Sequence, residues 1–345
     1  MKTLLVFAPH PTDSTSFYRA FGPLSPLMKE CDFYMEKGDS IDWVKLSYVD
    51  AIFMQRPYSG AHLNIMNMAK ANGKKVWIDY DDDLFAVPFE NRAFKLYSQS
   101  SVRQLVGRMI DTADHVSVST AALANRMRWV LNQIKSSSNP DKIQVIPNAY
   151  NQAFAVGRTP TTKQNKMILW RGSNTHDKDL WVYTAALKHA YARHFKDWSI
   201  NFVGHHFWYT VEQMLSIEGF SIEQLKLTNP LDPVDYWKAL NNFNPSLVFV
   251  PLWNCPFNHS KSNIAWIEGI HAGAACLGPD WEEWRRPGII NYKDQKDFAD
   301  KLDLVMRGEV DTLKLAQEGW EFVQDTLTLE KVNVLRKDIL QKMWG

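Results

Sequence analysis

Short apolar runs alternate with amphipathic helical patterns along almost the whole chain, and this alternation restricts the fold more than any other feature. In the first half, strand-length runs fall at residues 3–8, 51–55, 75–80, 115–119 and 143–146, with a weaker one near 32–35. Helical patterns lie between them at 16–29, 61–71 (ended by Gly73), 102–113 and 121–134. Apolar runs rich in β-branched and aromatic residues, each followed by a helix, are what a parallel sheet with crossover helices requires.

A second series of the same kind follows a polar linker at roughly 151–166. Its strands are expected at 167–170, 200–203, 224–227, 247–252 and 275–277. Its helices are expected at 178–194, 211–218, 234–241 and 263–272, and the tail reads as helices at 295–306, 313–326 and 329–343. The expected fold class is therefore α/β, with two facing doubly wound, Rossmann-like domains. We place the first at 1–155 and the second at 156–327, with a terminal helix at 328–345 packing back on the first.

Composition narrows the function. A net charge of +1 excludes a broadly basic nucleic-acid coat, although local clusters remain open. No run approaches the ~18 apolar residues of a membrane span. Residues 2–8 are followed at once by Pro9 and His10, which does not resemble a signal peptide. Cys31, Cys255 and Cys276 show neither disulfide nor zinc spacing, so a cytoplasmic protein is expected. The 14 Trp and 18 Phe are expected mostly in the core, with some free to stack on a sugar or base.

The segment 257–273, behind the apolar run 246–252, carries the clearest chemistry. It reads as a buried strand, a polar loop and a helix starting near Ser262. Helix N-termini offer unpaired N–H groups to an anion, and Lys261 adds a full charge. Glu268 lies about two turns in, where a carboxylate can accept from sugar or ribose hydroxyls. Such a helix suits a diphosphate that bears a sugar.

The other candidates sit at expected strand ends. Arg171 and Gly172 follow the first strand of the second series. The acidic run 79–83 closes a strand and has three readings: divalent-metal ligands, carboxylates facing an acceptor hydroxyl, or a turn cap. We favour a role for Asp79, Asp81 and Asp82 in the active site without an obligatory metal. His10, Tyr18 and Arg19 follow the first strand and are placed on the acceptor side. His205, His206 and Trp208 are candidates for the border of a donor base. Arg126, Arg128, Trp129 and Lys135, and Arg285–Arg286 with Trp281 and Trp284, are basic-aromatic clusters that read first as solvated helix faces and, if the acceptor is a nucleic acid, as its electrostatic contacts. A dinucleotide oxidoreductase is disfavoured, because Ala8-Pro9-His10 stands where a Gly-x-Gly-x-x-Gly fingerprint would begin.

Taken together, these segments resemble the GT-B glycosyltransferases, specifically the retaining, family 4-like kind. The stretch 113–120 with 143–150, which contains Ile146-Pro147-Asn148, is similar to that family's exit from its amino-terminal domain. Residues 169–173 and 251–273 resemble its nucleotide-sugar domain. Many members carry Glu-x7-Glu, and here Ser260 stands in the first position and Glu268 in the second. Asn258-x-Ser260-Lys261-Ser262, with 79–85 and 17–23, resembles a bacteriophage and bacterial sub-branch.

The resemblance implies a hexosyl- or pentosyltransferase using a UDP- or GDP-sugar, retaining in stereochemistry, with no obligatory cofactor and a divalent metal not expected. It places the donor at Arg171, Gly172, Ser260, Lys261, Ser262, Asn263 and Glu268, and chemistry near His10, Asp79, Asp81 and Asp82. It suggests a hydroxymethylated pyrimidine of phage DNA as acceptor, in the host cytoplasm. Cell-surface saccharide synthesis is the alternative, and a non-catalytic nucleotide- or sugar-binding module on the same scaffold is the reading from another class. Glu268→Ala and Lys261→Ala are expected to weaken donor binding and leave the fold intact.

Overall fold

A computed structural model describes residues 2–9, 13–29, 31–37, 41, 43–154, 161–205 and 207–345, excepting the side chains of 28, 29, 31, 33–37 and 154. The chain forms two compact units. One comprises Met1–Asn151 with His259–Ser262 and Leu329–Gly345, and the other comprises Gln152–Asn258 with Asn263–Thr328.

The first unit is built on strands β1 (Lys2–Ala8), β2 (Cys31–Lys37), β3 (Ala51–Gln55), β4 (Lys75–Tyr80), β5 (His115–Val118) and β6 (Ile143–Val145). They pair in the order β2-β1-β3-β4-β5-β6, all parallel. All of β3 and nearly all of β4 are buried, which matches the apolar stretches 51–54 and 76–78 within them. Helices Gly60–Ala71 and Ala121–Gln133 start where Ser59 and Thr120 accept the N–H of His62 and Leu123. The helix Leu329–Trp344 belongs to this unit: Leu329 N–H donates to Tyr150 O at 2.8 Å, and Asn333 Nδ2 to Pro23 O at 2.8 Å.

The second unit contains β7 (Asn165–Gly172), β8 (Ser199–Gly204), β9 (Leu225–Thr228), β10 (Pro245–Phe249), β11 (Ala275–Pro279) and β12 (Ile289–Tyr292). Their order is β12-β11-β10-β7-β8-β9, again all parallel. This is the doubly wound arrangement, with its reversal of strand order between β7 and β10. Aromatic side chains fill its core. Tyr183, Tyr292 and Phe298 meet edge to face with centroids 5.2–5.3 Å apart, and Trp237, Trp266 and Trp284 are fully buried.

Three local expectations change. The helix expected at 16–29 is a broken series: Ser14–Ser16, a π-helical turn at Phe17–Phe21, Gly22–Leu24 and a 3-10 turn at Ser25–Lys29. Gly22 N–H reaches back to Phe17 O, and a Cβ at Gly22 would lie 2.2 Å from that oxygen, so glycine is required. The helix expected from about Ser262 runs Ile264–Ala272, but the loop before it holds a further short helix, Pro256–His259, that was not expected. The edge strand β12 was not expected, because Ile289-Ile290-Asn291-Tyr292 is too short a run to stand out. Among the described residues, no helix is long and apolar enough to cross a membrane.

Candidate functional site

In open parallel sheets, ligands bind beyond the carboxyl ends of the strands, where the strand order reverses. In the second unit that point lies between β7 and β10. Arg171 is the penultimate residue of β7, and its guanidinium is ion-paired through Nε with Glu268 Oε2. Glu268 projects from the helix Ile264–Ala272 and is only 3% exposed. Tyr236, from the helix Pro233–Phe243, donates its hydroxyl to the same carboxylate oxygen at 3.1 Å. Burial, and then the Glu268 charge, push the Tyr236 phenol well above its usual range, so it remains a donor. Burial likewise raises the Cys276 thiol against the opposing pull of Arg171.

Glycines clear the ends of β7 and β8. A Cβ at Gly172 would sit 2.6 Å from the Trp170 ring, and Gly204, at φ +98°, would place one 2.4 Å from Gly172 O. The loop after β10 is anchored by Asp179, whose Oδ1 accepts from Trp253 N–H at 3.1 Å and Asn258 Nδ2 at 2.7 Å. His176 Nδ1 lies 2.8 Å from the other oxygen of Asp179. His205 pairs with Asp177 at 3.0 Å, and Trp208 is exposed. His206 lies outside the described residues.

Asn263 stands at the N-cap position of the helix that bears Glu268 without a side-chain capping bond, and its Nδ2 donates instead to Glu283 O at 2.9 Å. The Glu283 carboxyl takes the Asn263 backbone N–H and lies 3.4 Å from Arg286 Nη2. Burial nevertheless raises it to about 7. The folded protein therefore holds this proton more tightly than the unfolded chain. The resulting stability is present below pH 4.5 and is lost as pH rises to about 7, a swing of about 3 kcal/mol. Asp81 and Asp83, also raised by burial, act with the same sign. Urea unfolding between pH 4.5 and 7 should show declining stability, with a smaller decline in Glu283→Gln. Parallel curves for the two proteins would contradict this assignment.

In the first unit the strand order reverses between β1 and β3. Arg19, carried inward by the π-helical turn, is 2% exposed and grips Asp79 with two bonds, Nε to Oδ1 at 2.9 Å and Nη2 to Oδ2 at 2.7 Å. Its Nη1 donates to Ile146 O and Asn148 Oδ1. Asp79 stands in register with Ser117 on β5, whose hydroxyl donates to Oδ2 at 2.5 Å. Beyond the strand end the acidic run changes character. Arg56 forks onto Asp81, with Nε to Oδ1 at 2.9 Å and Nη2 to Oδ2 at 2.6 Å, and reaches Asp82 at 3.2 Å. Lys261 Nζ lies 3.7 Å from the other oxygen of Asp82. Asp83 is fully buried, caps Phe85 N–H and pairs with Arg126.

The sequence-predicted residues thus sort into groups. Arg171 and Glu268 are in direct contact. Lys261 pairs with Asp82, the Ser260 carbonyl accepts from Thr120 Oγ1 at 2.9 Å, and Ser262 Oγ accepts from Asn148 Nδ2 at 2.8 Å, all within the first unit. Asp79 and Arg19 satisfy one another in the interior, which suits a structural clasp better than the catalytic and acceptor-side roles expected of them. Tyr18 is half-buried beside Phe17, and His10 lies outside the described residues. Arg126, Arg128, Arg285 and Arg286 are engaged with Asp83, Ile143 O, Asp280 and Glu283, which weakens the basic clusters as a nucleic-acid surface. Among the described residues, no three His, Cys, Asp or Glu side chains converge as a metal cluster would need. Arg56, Asp179, Tyr236 and Glu283 were not singled out from sequence.

No protein-family model matches the chain, and no curated protein matches it in sequence. Solved structures do match in fold. The Anabaena protein HepE, in complex with UDP and glucose, superposes with a TM-score of 0.63 at 11% identity, over 99% of this chain and 100% of that one. A UDP-forming α,α-trehalose-phosphate synthase from Burkholderia vietnamiensis gives 0.65 at 10% identity, over 99% of each chain. A Listeria monocytogenes protein described as a UDP-N-acetylglucosamine 2-epimerase gives 0.57 at 12% identity, over 98% of each. The two parallel-sheet units have the GT-B fold, which the resemblance found in the sequence implied.

Proposed function

We propose that the protein is a glycosyltransferase that moves a hexose from a UDP-sugar to an acceptor hydroxyl with retention of configuration. The observation that carries this reading is the Arg171–Glu268–Tyr236 group at the strand reversal of the second sheet. It presents a cation suited to a diphosphate beside a fixed carboxylate suited to ribose hydroxyls. HepE, on the same fold, is described in complex with UDP-glucose, which supports uridine as the base. Lys261, two residues before Asn263, is assigned to the diphosphate as well. In the reaction the bond from the anomeric carbon to the phosphate oxygen breaks, the acceptor oxygen bonds to that carbon, and its proton passes to the departing diphosphate. Arg171 and Lys261 neutralise that leaving group. Asp81 and Asp82, at the carboxyl edge of the first sheet, accept from and orient the acceptor hydroxyl.

A saccharide acceptor is favoured over DNA, because Arg126, Arg285 and Arg286 of the basic clusters are each paired with a carboxylate. The test is a thermal-shift titration with UDP, UDP-glucose, GDP and GDP-mannose, followed by turnover with saccharide and hydroxymethylated-DNA acceptors. A shift with the uridine compounds and a transferred sugar in the α configuration is expected. No shift with any nucleotide would overturn the donor site. Conversion of the UDP-sugar without an acceptor would favour epimerase chemistry instead.

A further inference from the structure

Arg56 stands out once the established contacts are set aside. Among the described residues it is one of three non-glycine residues with positive φ, at φ 47°, immediately before Pro57 and directly after β3. A long side chain is disfavoured there, and such strain gathers where surrounding contacts impose a geometry that function uses. The contacts are specific. Arg56 N–H donates to Asp79 O at 2.7 Å, tying the residue to the end of β4, and Tyr80 Oη holds Pro57 O at 2.8 Å. The guanidinium then lies flat against Asp81 in a two-nitrogen fork. Asp81 is meanwhile fixed from behind, as Ser119 Oγ donates to its carbonyl at 3.0 Å. Arg56 and Asp81 side chains are 26% and 18% exposed, so the pair lies at the sheet edge and is not enclosed in the core.

We propose that Arg56 is a positioning residue for transfer, holding the Asp81 carboxylate ionised and aimed at the acceptor hydroxyl; this rests on the glycosyltransferase reading above. A fork with two parallel N–H···O bonds fixes the plane of a carboxylate, which a single cation does not. The charged groups around Asp81 pull in both directions. Burial raises its pKa, Arg56 opposes that rise, and Asp82 and Asp79 add to it. Arg19 is a second cation whose field meets Asp81, and Lys261 is turned to Asp82. With two acids and burial on one side, removal of Arg56 leaves Asp81 protonated at higher pH.

The experiment has two arms on the full-length protein. In the first, the Asp81 side-chain carboxyl is titrated by carbon-13 NMR in wild type, Arg56→Lys and Arg56→Gln. In the second, the pH profile of kcat/KM for sugar transfer is recorded for the same proteins. Arg56→Gln should raise the Asp81 midpoint by at least one pH unit and move the acid limb of the profile upward equally, with kcat falling at least tenfold at pH 7. Arg56→Lys should recover the midpoint largely but the rate only partly, because charge returns without the fork. It also serves if Arg56→Gln fails to fold. An unmoved Asp81 midpoint in a folded variant overturns the proposal, and so does a moved midpoint with an unmoved acid limb. If wild type transfers no sugar from any donor, the functional reading fails, while the NMR arm still decides whether Arg56 governs Asp81.

Discussion

Glu268→Gln should lower affinity for UDP-glucose by about a hundredfold and leave a folded protein, whereas Glu268→Ala should both abolish binding and weaken the fold. The reasoning starts from burial. Glu268 is 3% exposed and shares one oxygen between Arg171 and Tyr236. Hydrogen bonds to a charged group contribute roughly 1.5–3 kcal/mol each, so removing the charge from a carboxylate that serves ribose hydroxyls costs about two powers of ten in affinity. Alanine goes further, because it leaves Arg171 without its carboxylate and Tyr236 without its acceptor. Removing one partner of a buried pair costs roughly 3–5 kcal/mol, and the 20% exposure of the Arg171 side chain places this case at the low end. That is a large share of an ordinary domain's stability, so the expectation that Glu268→Ala leaves the fold intact is replaced. Urea unfolding and calorimetric titration with UDP-glucose separate the two effects. The double variant Arg171→Gln/Glu268→Gln should fold better than Glu268→Ala and still fail to bind. Wild-type affinity in Glu268→Gln would remove Glu268 from the donor site.

The sequence displays the architecture because a strand buried on both faces must be apolar throughout. Residues 51–54 and 76–78 are such runs, and they form the centres of β3 and β4. The π-helical turn was invisible for a related reason: its residues keep a helical apolar pattern, and only the backbone registers the extra residue per turn. The acidic run shows the limit most clearly. Four aspartates within five positions look alike on the page, yet Asp79 is the penultimate residue of β4, in register with Ser117, Asp81 and Asp82 lie beyond the strand, and Asp83 turns inward to Arg126. Arg171 was singled out from its place at a strand end and Glu268 from its helix and the family resemblance, and the structure brings the two side chains into contact. Tyr236 and Arg56 were not singled out, since each gains its meaning from a partner more than twenty residues away.

Asp79→Ala should cost about 3–5 kcal/mol of stability, and any loss of activity should follow from unfolding. Asp79 is 2% exposed, and both its oxygens are engaged, by Arg19 and Ser117. Among the described residues, its removal leaves the buried Arg19 side chain bonded to the Ile146 carbonyl and Asn148. A second cation sharpens the effect. Arg336, on the terminal helix, is 2% exposed and is pushed down to about 9, first by burial and then by the Arg19 charge, with Asp79 acting in opposition. Asp79 thus offsets two buried guanidinium groups that would otherwise repel across a low-dielectric interior. The contrast is Asp82→Asn, whose carboxylate is 24% exposed. It should change stability by no more than about 1 kcal/mol while slowing transfer. Urea unfolding of Asp79→Ala, Asp82→Asn and the apolar pair Arg19→Met/Asp79→Leu tests this directly, with the double variant expected to regain stability over Asp79→Ala because no buried charge of the pair is left alone. A folded Asp79→Ala of wild-type stability that no longer transfers sugar would return Asp79 to the catalytic group.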